Sequence, residues 1–165
     1  LSPAFQMWFK EEIEDPQAPI TQENMNYLRL SVALGTVCGD AMRDILSKHY
    51  PPVYASIHKA IISNRAKLTK GIKDSQGKFQ KALLNKDQTL VVFPYPNQKY
   101  MGSIDDFDIS LLYTLIKHIS TVPPPLKGWG NPPADQRRER TLGASVERIH
   151  LYRNQIIHSV DAKIS

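Results

Sequence analysis

Near the end of the chain lies the stretch Val146-Glu147-Arg148-Ile149-His150-Leu151-Tyr152-Arg153-Asn154-Gln155-Ile156-Ile157-His158. Its apolar residues recur at three- and four-residue intervals, which places them in one stripe on a helix at about 100° per residue. The pattern continues on both sides and predicts a last helix from about Gln136 to Ala162. The stripe consists of Leu142, Val146, Ile149, Ile156 and Val160.

A second apolar helix is predicted upstream of this one. Ser103 and Asp106 resemble a capping box, and the helix should run from there to Ser120. Its apolar residues cover most of its circumference, which indicates a central and largely buried helix. These residues are Phe107, Ile109, Leu111, Leu112, Leu115, Ile116 and Ile119.

The remaining sequence predicts further helices between proline-rich breaks. Ser2-Pro3 should open a short N-terminal helix, and a long helix is expected from Thr21 to about Lys48. A third helix is expected around Val53 to Ser63. One or two short helices should follow up to about Phe93, and 94–97 should form a loop.

Length and composition agree with one all-α domain. The chain has 165 residues, of which 41% are hydrophobic and 22% charged, enough to fill a single core. We expect a short helix and linker at 1–20 and an antiparallel helical bundle at 21–165, with a proline-rich loop (122–134) before the last helix. Because the chain begins with Leu, we expect it to be part of a larger protein. No apolar run approaches the length of a membrane span, so no membrane association is expected.

The charge favours polyanionic partners. Lys and Arg number 21 against 16 Asp and Glu, which gives a net charge of +5 and a pI near 9.3. Four arginines upstream of and within the last helix are candidate contacts to an RNA backbone, and a solvated helix face is the other interpretation. They are Arg137, Arg138, Arg140 and Arg148.

The single cysteine, Cys38, excludes a disulfide within the chain and any site that needs several cysteine ligands. It agrees with an intracellular, cytoplasmic location. His150, Asn154 and His158 repeat every fourth residue, but asparagine is a poor metal ligand and no carboxylate completes such a site. No Gly-rich phosphate loop is present. We therefore expect no metal and no cofactor.

The last helix carries a pair suited to cleavage of a phosphodiester without metal. Arg153 can neutralise a phosphate, and His158 can transfer a proton near neutral pH. An arginine and a histidine four to six residues apart are weak evidence by themselves, since Arg43 and His49 also have this spacing. Asn154, directly after Arg153, makes the pattern of Arg153 and His158 more specific than that of Arg43 and His49.

Four segments in this order resemble a HEPN domain (higher eukaryotes and prokaryotes nucleotide-binding), in particular the subgroup named after the DAZ-interacting zinc-finger ubiquitin ligase. They are Asn26-Tyr27-Leu28-Arg29-Leu30, Asp106-Phe107-Asp108-Ile109-Ser110-Leu111-Leu112, Gly128-Trp129-Gly130-Asn131-Pro132-Pro133 and 146–154. Ile157 stands where the subgroup commonly has glycine, and the spacing from arginine to histidine is the short variant.

The resemblance implies an all-helical, dimeric, RNA-binding domain, often a metal-independent endoribonuclease. Arg153, Asn154 and His158 would then be catalytic. On one ideal helix His158 lies about 140° round from Arg153. The resemblance implies that a C2 homodimer brings the two side chains together in one cleft. His158 would act as acid or base, Arg153 would stabilise charge on the phosphorane, and Asn154 would bind the phosphate or orient His158.

Two questions stay open from the sequence. Arg153 falls in the apolar stripe, so its charge needs a partner: either Asp108 or Asp106 on the preceding helix, or a phosphate. Trp129 either fixes its loop onto the bundle or offers a stacking surface for a base.

The alternative function is a catalytically inactive HEPN module that dimerises or binds protein in a signalling or ubiquitin-ligase protein. The other domains of that parent protein would be its partners. The state of His158 distinguishes the two, because catalysis needs this side chain exposed in a basic cleft.

Overall fold

The computed structural model describes residues 22–95 and 100–164, without the side chains of Asn24 and of residues 159–164. Helices dominate these ranges, which confirms the all-α fold class. The predicted helix at Ser2-Pro3 and part of the predicted loop at 94–97 lie outside the described residues. Within the described ranges, no helix combines the length and apolar character needed to cross a bilayer.

The long helix predicted from Thr21 to Lys48 is confirmed from Gln22 onward, with one irregularity. Helix α1 (Gln22–Ala33) passes through a π-helical turn at Leu34–Cys38 into α2 (Gly39–Lys48). The backbone remains helical at both junctions, because Ala33 has φ −60° and ψ −43° and Gly39 has φ −61° and ψ −46°. The stretch ends just before two prolines, which cannot donate helical hydrogen bonds.

The middle of the chain contains three short helices and a hairpin: α3 (Ile57–Ser63), α4 (Arg65–Thr69), β1 (Ile72–Lys73), β2 (Phe79–Gln80) and α5 (Lys86–Val92). The predicted start of α3 at Val53 was too early, because Ser56 is its N-cap and accepts from the Lys59 N–H. The antiparallel hairpin was not predicted. Its turn is organised by Asp74, whose carboxylate accepts from the N–H groups of Gln76 and Lys78.

Helix α6 (Ile109–Ile119) is the central helix of the bundle and packs against α2, α3 and the last helix. Seven of its eleven residues are buried, as the sequence predicted. Its predicted start at Ser103 was wrong. Ser103 instead caps a short 3-10 turn at Ile104–Asp106, and Asp108 caps α6 by accepting from the Leu111 N–H at 2.8 Å.

Helix α7 (Leu142–Ile164) is the last helix, and it begins later than the predicted Gln136. Asp135 organises a turn just upstream by accepting from the Arg138 and Glu139 N–H groups. Thr141 then caps α7, accepting from the Ala144 N–H at 3.2 Å. Tyr27 donates to the Ile156 carbonyl at 2.7 Å and so joins α1 to α7 close to the candidate site.

Candidate functional site

Helix α7 holds a buried carboxylate against the central helix and the proline-rich loop. Glu147 has no exposed side-chain surface. Its Oε2 accepts from the Tyr113 hydroxyl at 2.8 Å and from the Gly130 N–H at 3.2 Å. Burial, together with the hydrogen bond and the charge of Glu147, raises the pKa of Tyr113 far above its ordinary value. The Tyr113 hydroxyl therefore stays protonated and remains a donor to Glu147.

Trp129 lies in the same loop and packs against Tyr113. The two rings meet edge to face, with centroids 5.9 Å apart and an interplanar angle of 84°. The flanking Gly128 and Gly130 have φ of 77° and 85°, a backbone region that glycine adopts without steric cost. The interpretation that Trp129 fixes the loop onto the bundle is confirmed.

His150 lies one turn after Glu147 and stacks flat on Tyr113. The ring centroids are 3.7 Å apart and the planes differ by 7°. Its Nδ1 is 4.0 Å from Glu147 Oε1, and its Nε2 is 3.4 Å from Asn154 Nδ2. Burial lowers the pKa of His150; Glu147 opposes this shift, whereas Arg153 and Lys117 add to it. The ring is thus favoured in its neutral form.

Arg153 and Asn154 are held against each other on α7. Arg153 Nη1 donates to Asn154 Oδ1 at 3.2 Å, and both side chains are half-buried. Among the described residues, Arg153 makes no ion pair with Asp108 or Asp106. Asp108 caps α6 instead, and Asp106 is exposed. The salt bridge considered from the sequence is therefore absent from the described part of the chain.

His158 is exposed and lies one turn beyond Asn154 on α7. No hydrogen bond between described side chains joins it to Arg153 or Asn154. A single chain thus brings Arg153, Asn154 and His150 together and leaves His158 apart from them. Catalysis was expected to require that His158 is exposed and that it lies in a basic cleft. The exposure of His158 meets the first of these two conditions.

The arginine of the competing pair, Arg43, has a structural role. Arg43 forms an ion pair with Asp40 at 2.8 Å and donates to the carbonyls of Ile104 and Phe107. These contacts tie α2 to the segment before α6. The guanidinium is therefore already occupied by the protein.

Three of the four arginines predicted to contact RNA precede α7. Arg137, Arg138 and Arg140 are exposed in the turn before the helix, not on it. A groove of about 480 Å³ opens beside them. It is lined by Gln136, Arg137, Arg140, Ser145 and Arg148.

Arg148, the fourth of these arginines, lines the groove and also has a structural role. Its Nη2 donates to the carbonyls of Ala134 and Glu139 at 2.7 and 2.8 Å. Glu139 is itself only 2% exposed and accepts from the Leu126 and Ala134 N–H groups. The hydrogen bond from Leu126 is the main cause that lowers the pKa of Glu139. Arg148 and Glu139 together fix the loop that presents the exposed arginines.

A family model described as DZIP3/hRUL138-like HEPN matches residues 54–165. The chain belongs to this HEPN family. No curated protein matches it, and no solved structure matches it.

The sequence did not predict the roles of three residues of this HEPN domain, Tyr113, Glu147 and His150, and His150 was considered only as part of a poor metal site. The only sequence signal was the spacing of Glu147 and His150, which places them on one helical face. Their burial and the stacking on Tyr113 depend on how α6 and α7 meet. In the ranges that the structure describes, no group of three or more His, Cys, Asp and Glu is placed to hold a metal ion.

Proposed function

We propose that this HEPN domain is a metal-independent endoribonuclease whose active site forms between two copies of the chain. The observation that carries the proposal is the state of Arg153 and His158 on α7. Within the described residues Arg153 has no carboxylate partner, and His158 is exposed. A half-buried guanidinium without an anionic partner favours an external anion such as phosphate.

The proposed reaction is attack of the ribose 2′-oxygen on the adjacent phosphorus. The bond from phosphorus to the 2′-oxygen forms, and the bond to the 5′-oxygen breaks. His158 takes the 2′-hydroxyl proton while water supplies a proton to the leaving 5′-oxygen, or His158 supplies that proton while water takes the one from the 2′-hydroxyl. Arg153 neutralises the charge that develops on the phosphorane oxygens. The products are a 2′,3′-cyclic phosphate and a free 5′-hydroxyl.

Asn154 orients Arg153 in this proposal. Its Oδ1 already accepts from the guanidinium and its Nδ2 faces His150, so both ends of the amide are engaged within the protein. An arginine held by a neutral amide keeps its full charge for the phosphate, whereas a carboxylate partner would neutralise it.

A second chain supplies the proton-transfer group. His158 lies about 140° round the helix from Arg153, too far for both to reach one phosphate from one helix. In a C2 dimer, Arg153 of one protomer would face the partner subunit's His158. Ile157, which is 38% exposed beside His158, supplies apolar surface suited to such an interface.

RNA is proposed to approach along the arginine groove upstream of α7. Arg137 and Arg140 line this groove and are exposed, and Arg138 is exposed beside them. Contacts from these arginines to phosphates would be independent of sequence and sensitive to salt. Arg148 would serve mainly to hold the loop, since its guanidinium already binds two carbonyls.

The test is incubation of the purified domain with end-labelled RNA in EDTA. Cleavage that leaves 2′,3′-cyclic phosphate ends and is lost in Arg153→Ala and in His158→Ala supports the proposal. His58→Ala is the matched control, because His58 is also an exposed helical histidine and lies on α3. Intact RNA with the wild-type dimer would refute catalysis and favour the inactive interaction module.

A further inference from the structure

We infer that His150 is a positioning residue of the proposed site: its Nε2 accepts from Asn154 and so fixes the amide that holds the Arg153 guanidinium. The contacts run in series from Glu147 through His150 and Asn154 to Arg153. The inference rests on the proposed function for its catalytic meaning, and on geometry alone for the existence of this series.

The hydrogen-bonding capacity of each group fixes the direction of every contact. A guanidinium has donors only, so the Asn154 atom beside Arg153 must be the oxygen. The amide nitrogen of Asn154 then faces His150 and donates. His150 Nε2 must accept this hydrogen bond, and the proton of the neutral ring must therefore be on Nδ1.

The Nδ1 proton points at the buried carboxylate. Glu147 Oε1 and His150 Nδ1 are both buried without a hydrogen-bond partner, and they lie 4.0 Å apart. Unpaired buried polar atoms are costly, and this tautomer gives each of them its partner after a small approach. Glu147 is in turn held by Tyr113 and Gly130, so the series is anchored in α6 and in the proline-rich loop.

Stacking prevents the imidazole from turning out of this arrangement. The His150 ring lies parallel to Tyr113, which is buried in the central helix. A supporting residue that is itself locked in place pre-organises the group it holds. The role of His150 is therefore to hold Arg153 in a position where it can bind a phosphate. His150 itself does not contact the RNA.

Protonation of His150 would reverse this effect. The charged groups that face the ring are Glu147 and Arg153 on its own helix and Lys117 on α6, and Tyr113 is the other titratable group on α6. A protonated Nε2 would direct an N–H at the Asn154 amide nitrogen, so two donors would meet. The contact would break, and Arg153 would lose its fixed position.

The test compares His150→Phe with His150→Gln. Phenylalanine keeps the stacking surface on Tyr113 but lacks the acceptor, whereas glutamine restores an acceptor of similar reach. We expect His150→Phe to lower kcat by about 10- to 100-fold, the range found when a hydrogen-bonding partner behind a metal ligand is removed, with KM changed less than about threefold. His150→Gln should recover part of the loss. His118→Phe is the control, since His118 is a half-buried histidine on α6 outside this series.

Nuclear magnetic resonance separates this inference from the proposed function. In the wild-type domain, ring nitrogen shifts should show a neutral His150 protonated at Nδ1, and His150→Phe should shift the Asn154 amide and Arg153 Nε–H resonances. These shifts without any RNA cleavage would support the series and refute the ribonuclease. A wild-type ring protonated at Nε2, or unchanged Asn154 and Arg153 resonances together with unchanged kcat in His150→Phe, would overturn the inference. The tautomer measurement needs no variant and therefore decides even where a substitution prevents folding.

Discussion

Replacing Gly143 by alanine tests how closely the last helix is docked on the proline-rich loop. Gly143 is buried in the first turn of α7. A Cβ added there would collide with the Pro123 carbonyl oxygen and would lie 3.1 Å from Pro125 N and 3.2 Å from the Pro124 carbonyl carbon. All three atoms belong to the backbone, and consecutive prolines restrict how that backbone can move.

The expected change in stability is the balance of two opposed effects. Alanine is favoured over glycine within a helix by up to about 1 kcal/mol. Overpacking against a backbone that cannot relax costs about 1–3 kcal/mol, and a direct collision with a carbonyl belongs at the upper end. We therefore expect Gly143→Ala to lower the free energy of unfolding by about 1–2 kcal/mol, equivalent to a fall in Tm of roughly 5 °C at this chain length.

Gly35→Ala is the matched control. Gly35 is also helical, but a Cβ there would meet no atom within 4 Å. It should raise the free energy of unfolding by about 0.5–1 kcal/mol. Urea unfolding of both variants at one fixed protein concentration measures the two effects. A Gly143→Ala domain as stable as Gly35→Ala would refute the close docking of α7 on the proline-rich loop.

Three further predictions concern the hydrogen bonds of the site and its support. Tyr113→Phe removes a donor to the buried carboxylate of Glu147 and should lower the free energy of unfolding in urea by about 1–3 kcal/mol. An unchanged urea midpoint would contradict the buried contact. Asp108→Ala removes the N-cap that accepts from the Leu111 N–H and should lower the free energy of unfolding by about 1 kcal/mol. The pKa of His150 is lowered by burial from its ordinary 6.5, so the unfolded chain binds this proton more readily and stability should fall as pH drops below 6.5. Denaturation midpoints between pH 7.5 and roughly 5 should show a shallower decline in His150→Phe than in wild type.

The sequence predicted the helices whose patterns are local and failed where tertiary contacts set the boundary. The apolar circumference of α6 identified it as the central helix because burial on all sides leaves that pattern. Ser103 and Asp108 are both plausible caps five residues apart, and only the packing of Phe107 into the core selects Asp108. The start of α7 at Leu142, later than Gln136, likewise depends on the turn made by Asp135.

The candidate site was predictable only in its outline. Arg153, Asn154 and His158 stand out as residue types at a recognisable spacing. The series that supports Arg153 and Asn154 requires Tyr113 of α6 to meet Glu147 and His150 of α7, 34 or more positions further along the chain. No local pattern contains that contact, so His150 was considered only as part of a poor metal site.

The measurement that tests the composite active site most directly is complementation between inactive variants. Arg153→Ala and His158→Ala chains are mixed, unfolded and refolded together, and RNA cleavage in EDTA is compared with that of each variant alone. If Arg153 of one protomer works with His158 of its partner, half of the dimers are mixed, each with one intact site, and roughly a quarter of wild-type activity should return. A mixture as inactive as its components, despite proven exchange of subunits, would contradict a site shared between two chains.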